Sequence, residues 1–323
     1  MTDITAPPPV PHNDSCVIPI LGMHRSGTSM FTRALQLLGV DLGEPLMAPQ
    51  PDNPKGFWEN EFFYEVDLKI LHVLQRHVSG YGRRDELLQL PALSTLIQRS
   101  DEDLQTIQNY IDSQFSASRV WGWKDPRSVL LFPFWLGALV ELGYRRIRPM
   151  VVTRHPSSCV RSLVRRTDLD PLAAVLGIDK TVLALEMWVA YSHILLDIVE
   201  ETDAYVTVHD WFMDQESAEA ELLRAASRCP GLFPGPDKGA APGNRMAQAL
   251  AWLDPGAVHH AEPETLSGPM GEEALDLYSD LLTRARRQRA DWKFQDRPAE
   301  SLTEPELLGV EPIWRPSPAA TAS

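Results

Sequence analysis

Between Cys16 and Gly39 an apolar run, CVIPIL, passes through GMHRSG into TSMFTRALQLLG. The run suits a short buried strand. Phe31, Leu35 and Leu38 then recur at the spacing of one helix face, and Gly39 supplies the stop. A buried strand that turns through glycine directly into a helix is half of a strand–helix–strand unit. Its return strand lies parallel, because the right-handed crossover carries the chain back to the same edge. This stretch therefore commits the chain to an α/β fold.

The rest of the chain repeats the alternation. RVWGW (119–123), RPMVVT (148–153) and AYVTV (204–208) read as further strands. Helical patterns cover Ser157–Arg166, about Lys180 to Glu200 and about Glu216 to Ser227, and VLLFPFWLGALVELG reads as a helix interrupted or started near Pro133. The expectation is a three-layer α/β/α, P-loop-like fold with a mainly parallel central sheet. Residues 64–118 are helical in pattern and are expected to form a cap or insertion in the same domain. Residues 1–15 read as a flexible leader, 16–295 as one domain and 296–323 as a proline-rich tail. The prolines between 230 and 262 mark a long irregular segment.

Charge and composition narrow the partners. A net charge of −14 argues against nucleic-acid binding, which needs a basic face. The dense cationic run TRARRQR (283–289) falls at the end of a helical pattern, where positive charge suits the helix dipole. Three widely spaced cysteines, Cys16, Cys159 and Cys229, form no metal-binding or disulfide pattern and read as buried thiols. The leader lacks the charged and apolar parts of a signal peptide, and no apolar run approaches the ~20 residues of a membrane span, so a cytoplasmic location without a membrane span is expected.

In parallel sheets ligands sit beyond the carboxyl ends of the strands, so the segments that follow each strand carry the chemistry. After the first strand, Gly22 and Gly27 have the gap of a nucleotide-binding P-loop, but its lysine position holds Thr28. Backbone amides, the hydroxyls of Ser26, Thr28 and Ser29 and the guanidinium of Arg25 suit a terminal phosphate-like group better than a magnesium-bridged triphosphate. WGWKDPRS places Lys124 and Arg127 after the second strand. After the third come Arg154, then Ser162 eight residues on and Arg166 twelve on; a helix from Ser157 puts Ser162 and Arg166 on one face. Two separated anion sites fit a ligand with phosphates at both ends.

Arg25-Ser26-Gly27-Thr28-Ser29, followed by Arg154-His155-Pro156 with Ser162, resembles the paired motifs of sulfotransferases that use 3′-phosphoadenosine 5′-phosphosulfate. NPKGFWEN (53–60), WKDPR (123–127), MWVAYSHIL (187–195) and DPGAVHH (254–260) are similar to stretches of the bacterial branch, and the resemblance runs from about residue 16 to 262. It implies metal-independent transfer of sulfonate, with adenosine 3′,5′-bisphosphate as second product. It implies that Arg25 and Lys124 face the sulfonate, that Ser26 to Ser29 bind the 5′-phosphosulfate, and that Arg154, Ser162 and Arg166 bind the 3′-phosphate. The pattern departs from the small-molecule branch at Pro126, where that branch has its catalytic histidine.

FWENEFF (57–63) looks like the segment of heparan N-sulfotransferases that carries their glutamate, and Phe62 and Phe63 then align Glu59 with it. A glutamate beside Phe57 and Trp58 is placed to lose water and become a base near neutral pH. His24, Glu61 and Glu44 are the alternatives, while His259 and His260 read as structural or exposed. The acceptor class stays open among a glycan, a lipid-linked sugar, a natural product and a peptide hydroxyl. The aromatics Trp121 and Trp123 suit either sugar stacking or a plain core. Rival readings are a P-loop kinase of a small molecule and a non-catalytic nucleotide-binding module.

Overall fold

The structure is a computed structural model that describes residues 10–50, 53, 55–229, 231–232, 242–253 and 266–294. The sequence expectations for residues 1–9, for DPGAVHH with His259 and His260, and for the tail lie outside the described residues.

The chain enters through β1 (Cys16–Leu21) and α1 (Thr28–Leu38). Helices α2 (Glu61–Val73), α3 (Arg84–Leu88), α4 (Leu90–Thr95) and α5 (Asp101–Phe115) fill the stretch before β2 (Val120–Lys124). After α6 (Arg127–Leu130) and α7 (Phe132–Glu141) come β3 (Arg146–Ile147) and β4 (Met150–Thr153). Then follow α8 (Pro156–Val164), α9 (Asp170–Leu176), α10 (Lys180–Thr202) and β5 (Tyr205–Val208). A 3₁₀ turn at His209–Phe212 leads to α11 (Gln215–Ser227), α12 (Pro242–Trp252) and α13 (Gly268–Phe294).

The sheet runs β2-β1-β4-β5 with the short β3 also on β1, and every strand pairing in it is parallel. Alternation along each strand sorts the core into two layers. Cys16, Ile18 and Ile20 of β1 join Phe31, Leu35 and Leu38 of α1 and Leu222 of α11 on one face. Val17 and Leu21 join Trp121, Trp123, Trp135 and the apolar side of α10 on the other. Each such side chain contributes about 1.5–3 kcal/mol through burial. β2 approaches β1 so closely that a Cβ at Gly122 would lie 2.1 Å from the Ile18 carbonyl oxygen, which only glycine avoids.

The fold differs from the sequence reading in several places. Part of the segment read as irregular forms α12, which packs on α1; its prolines masked the apolar repeat of Met246, Leu250 and Leu253. The two-residue β3 is too short to show a periodicity. Helix α10 is long and apolar enough to cross a membrane by length and composition, but packs against α3, α8 and α13 with most of its side chains buried. The run 283–289 does not end its helix, which continues to Phe294; Arg284 pairs with Glu200 and Arg289 with Glu221, so partner acids rather than the helix end accommodate it. The three cysteines are buried free thiols.

Candidate active site

Leu21, Lys124 and Thr153 end three adjacent parallel strands, so the segments after them meet at one edge of the sheet. The loop after β1 is bent by two left-handed residues, Arg25 at φ 68° and Gly27 at φ 95°. Gly27 caps α1 without a side chain, and no acidic residue occupies the first turn. The first-turn amides and the dipole of α1 are therefore not opposed by a carboxylate of that turn and suit an anion. A Cβ on Gly22 would come within 2.6 Å of the Val152 carbonyl, and one on Gly27 within 2.4 Å of the His209 ring, so both glycines are sterically required. Inside this loop the buried Ser26 hydroxyl has no hydrogen-bond partner among the described residues.

Arg25 turns toward the second motif. Its Nε donates to Ser162 Oγ at 2.9 Å, and Arg154 Nη1 donates to the Arg25 carbonyl at 3.4 Å. Arg154 Nε is buried with no hydrogen-bond partner among the described residues. An unmet buried donor costs about 1–3 kcal/mol, a cost that an oxygen-rich anion bound at these two groups would offset. The residues present thus fit a ligand that carries phosphate-like groups at two points.

Arg166 is placed differently from the sequence reading. Helix α8 stops at Val164 and the chain tightens, Arg166 N donating to the Leu163 carbonyl at 3.0 Å, so Arg166 shares no helix face with Ser162. Its guanidinium forks onto Asp168 at 2.9 and 2.7 Å, and Asp168 also accepts from Tyr81 Oη at 3.0 Å. The carboxylate two residues ahead has captured the arginine.

Glu59 is brought inward by an uncommon backbone. Trp58 adopts φ 58°, a conformation that costs a bulky residue on the order of 1–3 kcal/mol. The indole is pinned by the Arg33 guanidinium, 4.4 Å above its ring, and by Trp252 at 5.9 Å. Asn60 then caps α2 by accepting from Phe62 N at 3.0 Å, which leaves Glu59 one residue before the cap. The Lys124 ammonium donates to Glu59 Oε1 at 2.5 Å, and Arg127 Nη2 donates to Oε2 at 3.3 Å. Burial lifts the proton affinity of Glu59, Lys124 pulls it back, Asp125 adds to the rise and Arg127 opposes it; the net direction is upward. Glu61 and Glu44, by contrast, are exposed.

His24 donates Nε2–H to the Ser79 carbonyl at 3.0 Å, since a carbonyl can only accept. Burial and then the charges of Arg127, Arg166 and Lys124 push its pKa well below 6.5, so the ring is neutral with a free pair on Nδ1. A group depressed in this way contributes stability above pH 6.5 that is lost as pH falls through its folded value. Wild type minus His24→Asn, compared by urea midpoint, is therefore expected to shrink as pH falls from about 7.5 to 5. A difference that stays flat across that range would remove the buried, cation-facing histidine from this account.

The structure thus brings Arg25, Ser26, Gly27, Ser162 and Arg154 together, sets Lys124 and Glu59 in contact, and holds Thr28 and Ser29 in the first turn of α1. Trp121 and Trp123 lie wholly in the core, Trp123 stacked on Phe63 at 4.6 Å, so neither offers a face to a ligand. Asp125 and the full engagement of Arg127 escaped the sequence reading. The available signal was the carboxylate two residues before an arginine in KDPR.

No family model matches the chain, and no curated protein sequence matches it. Among the solved structures similar to this chain are three sulfotransferases. The sulfotransferase domain of the curacin biosynthetic pathway is 16% identical over 83% of this chain and 98% of its own, with a TM-score of 0.44. That of the Synechococcus PCC 7002 olefin synthase is 12% identical over 86% and 98%, at 0.42. Sulfotransferase STF1 of Mycobacterium tuberculosis H37Rv is 16% identical over 82% and 77%, at 0.40. Roles for individual residues rest on the geometry above.

Proposed function

We propose that this chain is a sulfotransferase that moves sulfonate from 3′-phosphoadenosine 5′-phosphosulfate to a hydroxyl or amine of its acceptor. The observation that supports the reading is a buried Glu59–Lys124 contact at the same sheet edge as Ser26 and Arg154, whose Oγ and Nε have no partner among the described residues. The donor supplies an electrophilic sulfonate and a phosphate leaving group. The loop amides with Ser26, Thr28 and Ser29 hold the 5′ end, and Arg154 with Ser162 holds the 3′-phosphate. Arg25, which touches Ser162, joins the two sites. Arg166, committed to Asp168, enters as a positive charge beside His24.

Positioning and charge stabilisation dominate in a transfer of this kind. Lys124 neutralises charge as the bond from sulfur to the phosphate oxygen breaks and the bond from the acceptor atom to sulfur forms. Glu59 takes the acceptor proton, and its upward-shifted affinity suits that role near neutral pH. The acceptor is a glycan, lipid-linked sugar, natural product or peptide.

Adenosine 3′,5′-bisphosphate is expected to raise the melting temperature well above the effect of ADP or of ATP with magnesium. Linkage gives about 2.7 kcal/mol at a hundredfold excess over Kd. Arg154→Ala is expected to erase the preference, because it removes the donor left unmet at the second site while sparing the first loop. Equal shifts with ADP in the wild type would sink the 3′-phosphate assignment, and magnesium-dependent ATP turnover would favour a kinase instead.

A further inference from the structure

Glu59 belongs to a buried quartet of alternating charge. Lys124, Glu59, Arg127 and Asp125 are 2%, 5%, 6% and 1% exposed, and their formal charges cancel. Lys124 holds one oxygen of Glu59 through a single ammonium on a flexible stem. Arg127 is far more constrained. Its Nε and Nη2 donate to the two oxygens of Asp125 at 2.8 and 2.9 Å, and its backbone N donates to Asp125 Oδ1 at 2.8 Å. The Tyr64 ring lies 4.4 Å from the guanidinium. Nη2 reaches Glu59 Oε2 from that fixed plane. A carboxylate gripped by the ammonium alone can swing about its last bond, whereas a hydrogen bond to its other oxygen from a guanidinium already fixed on Asp125 restrains that rotation.

We propose that Arg127 is a positioning residue for the proposed base: locked to Asp125, its guanidinium fixes the plane in which Glu59 presents its carboxylate to the acceptor. This rests on the reading of Glu59 as base. The groups that bear on the quartet electrostatically include Asp67 from α2, His24 from the loop after β1, Tyr81 from the segment before α3 and Tyr191 from α10, and none of them changes in the comparisons below. Removing the charge of Arg127 or of Asp125 moves Glu59 in opposite senses, because the first opposes its protonation and the second favours it.

The test follows Glu59 itself in the full chain, by NMR of protein carrying carboxyl-labelled glutamate, with the signal assigned by its loss in Glu59→Gln. The activity probe is cleavage of 3′-phosphoadenosine 5′-phosphosulfate with water as acceptor. Arg127→Met is expected to raise the Glu59 titration by about one unit or more, Asp125→Asn to lower it, and the acid limb of cleavage to follow each. Arg127→Lys, which keeps the charge and loses the fork, is expected to restore the titration but leave cleavage roughly tenfold to a hundredfold down. Should Arg127→Met fail to fold, the Asp125→Asn and Arg127→Lys pair decides alone. Titrations that stay still in folded variants, or an Arg127→Lys protein with full activity, would overturn the proposal. Full cleavage by Glu59→Gln sinks the base reading instead, while the titrations still report whether Arg127 grips Glu59.

Discussion

Glu59→Gln is expected to lower sulfonate transfer by roughly 10²–10⁴-fold, the usual contribution of a positioned acid–base group. Glutamine keeps the volume of the side chain and can still accept a hydrogen bond from Lys124, but it takes no proton from an acceptor. Binding of adenosine 3′,5′-bisphosphate is expected to stay close to wild type, since Glu59 contacts Lys124 and Arg127 rather than the loop or Arg154. His24→Asn, made in parallel, separates the two candidate bases, because His24 is neutral and keeps a free pair on Nδ1. A near-normal Glu59→Gln beside an inactive His24→Asn that still binds nucleotide would move the base to the loop histidine. Isothermal titration of the bisphosphate and release of bisphosphate product measure the two halves of this prediction.

Lys124→Met is expected to cost both stability and rate. The ammonium is buried against Glu59, and removing one partner of a buried pair costs about 3–5 kcal/mol, because the other charge is left uncompensated. Arg127 remains, but it is shared with Asp125, so one cation then faces two carboxylates. Transfer is expected to fall by about 10²–10³-fold through loss of charge stabilisation at the leaving phosphate. The pH dependence carries a definite sign. Glu59 is already raised above 4.5, and loss of Lys124, which opposes that rise, raises it further. Stability tied to a raised carboxyl is full below its unfolded value and is lost as pH rises through its folded value. The deficit of Lys124→Met relative to wild type is therefore expected to narrow as pH falls from about 8 to 5, read by urea midpoint. An equal deficit at both ends would show that Lys124 is not what holds the Glu59 charge.

The strands and the loop after β1 were legible because their signals are local. CVIPIL matches β1 residue for residue, and Lys124 ends β2 while Arg154 follows β4, both at the edge where a parallel sheet gathers its chemistry. Gly27 and Gly39 sit at left-handed ends of α1, a backbone need that glycine announces by itself. Arg166 was misplaced because helix periodicity alone cannot register a carboxylate two residues ahead that draws the arginine off the helix. Helix α12 is hidden in the sequence for a related reason: the prolines around it read as breakers, while its packing on α1 is a tertiary contact.

By itself, then, the sequence determined the alternation of strand and helix, the phosphate-type loop and the residue types gathered at the strand ends, since each depends on neighbours within a few positions. Only the tertiary structure decided who meets whom. Glu59 lies 65 residues from Lys124 in the chain, and the left-handed Trp58, pinned from α1 and α12, turns it inward to that lysine. Arg25 lies 137 residues from Ser162, and their contact exists because β1 and β4 are neighbours in the sheet. Burial at those meeting points then sets the proton affinities of Glu59 and His24, because loss of water and the count of nearby charges belong to the assembled edge and to no segment of the chain.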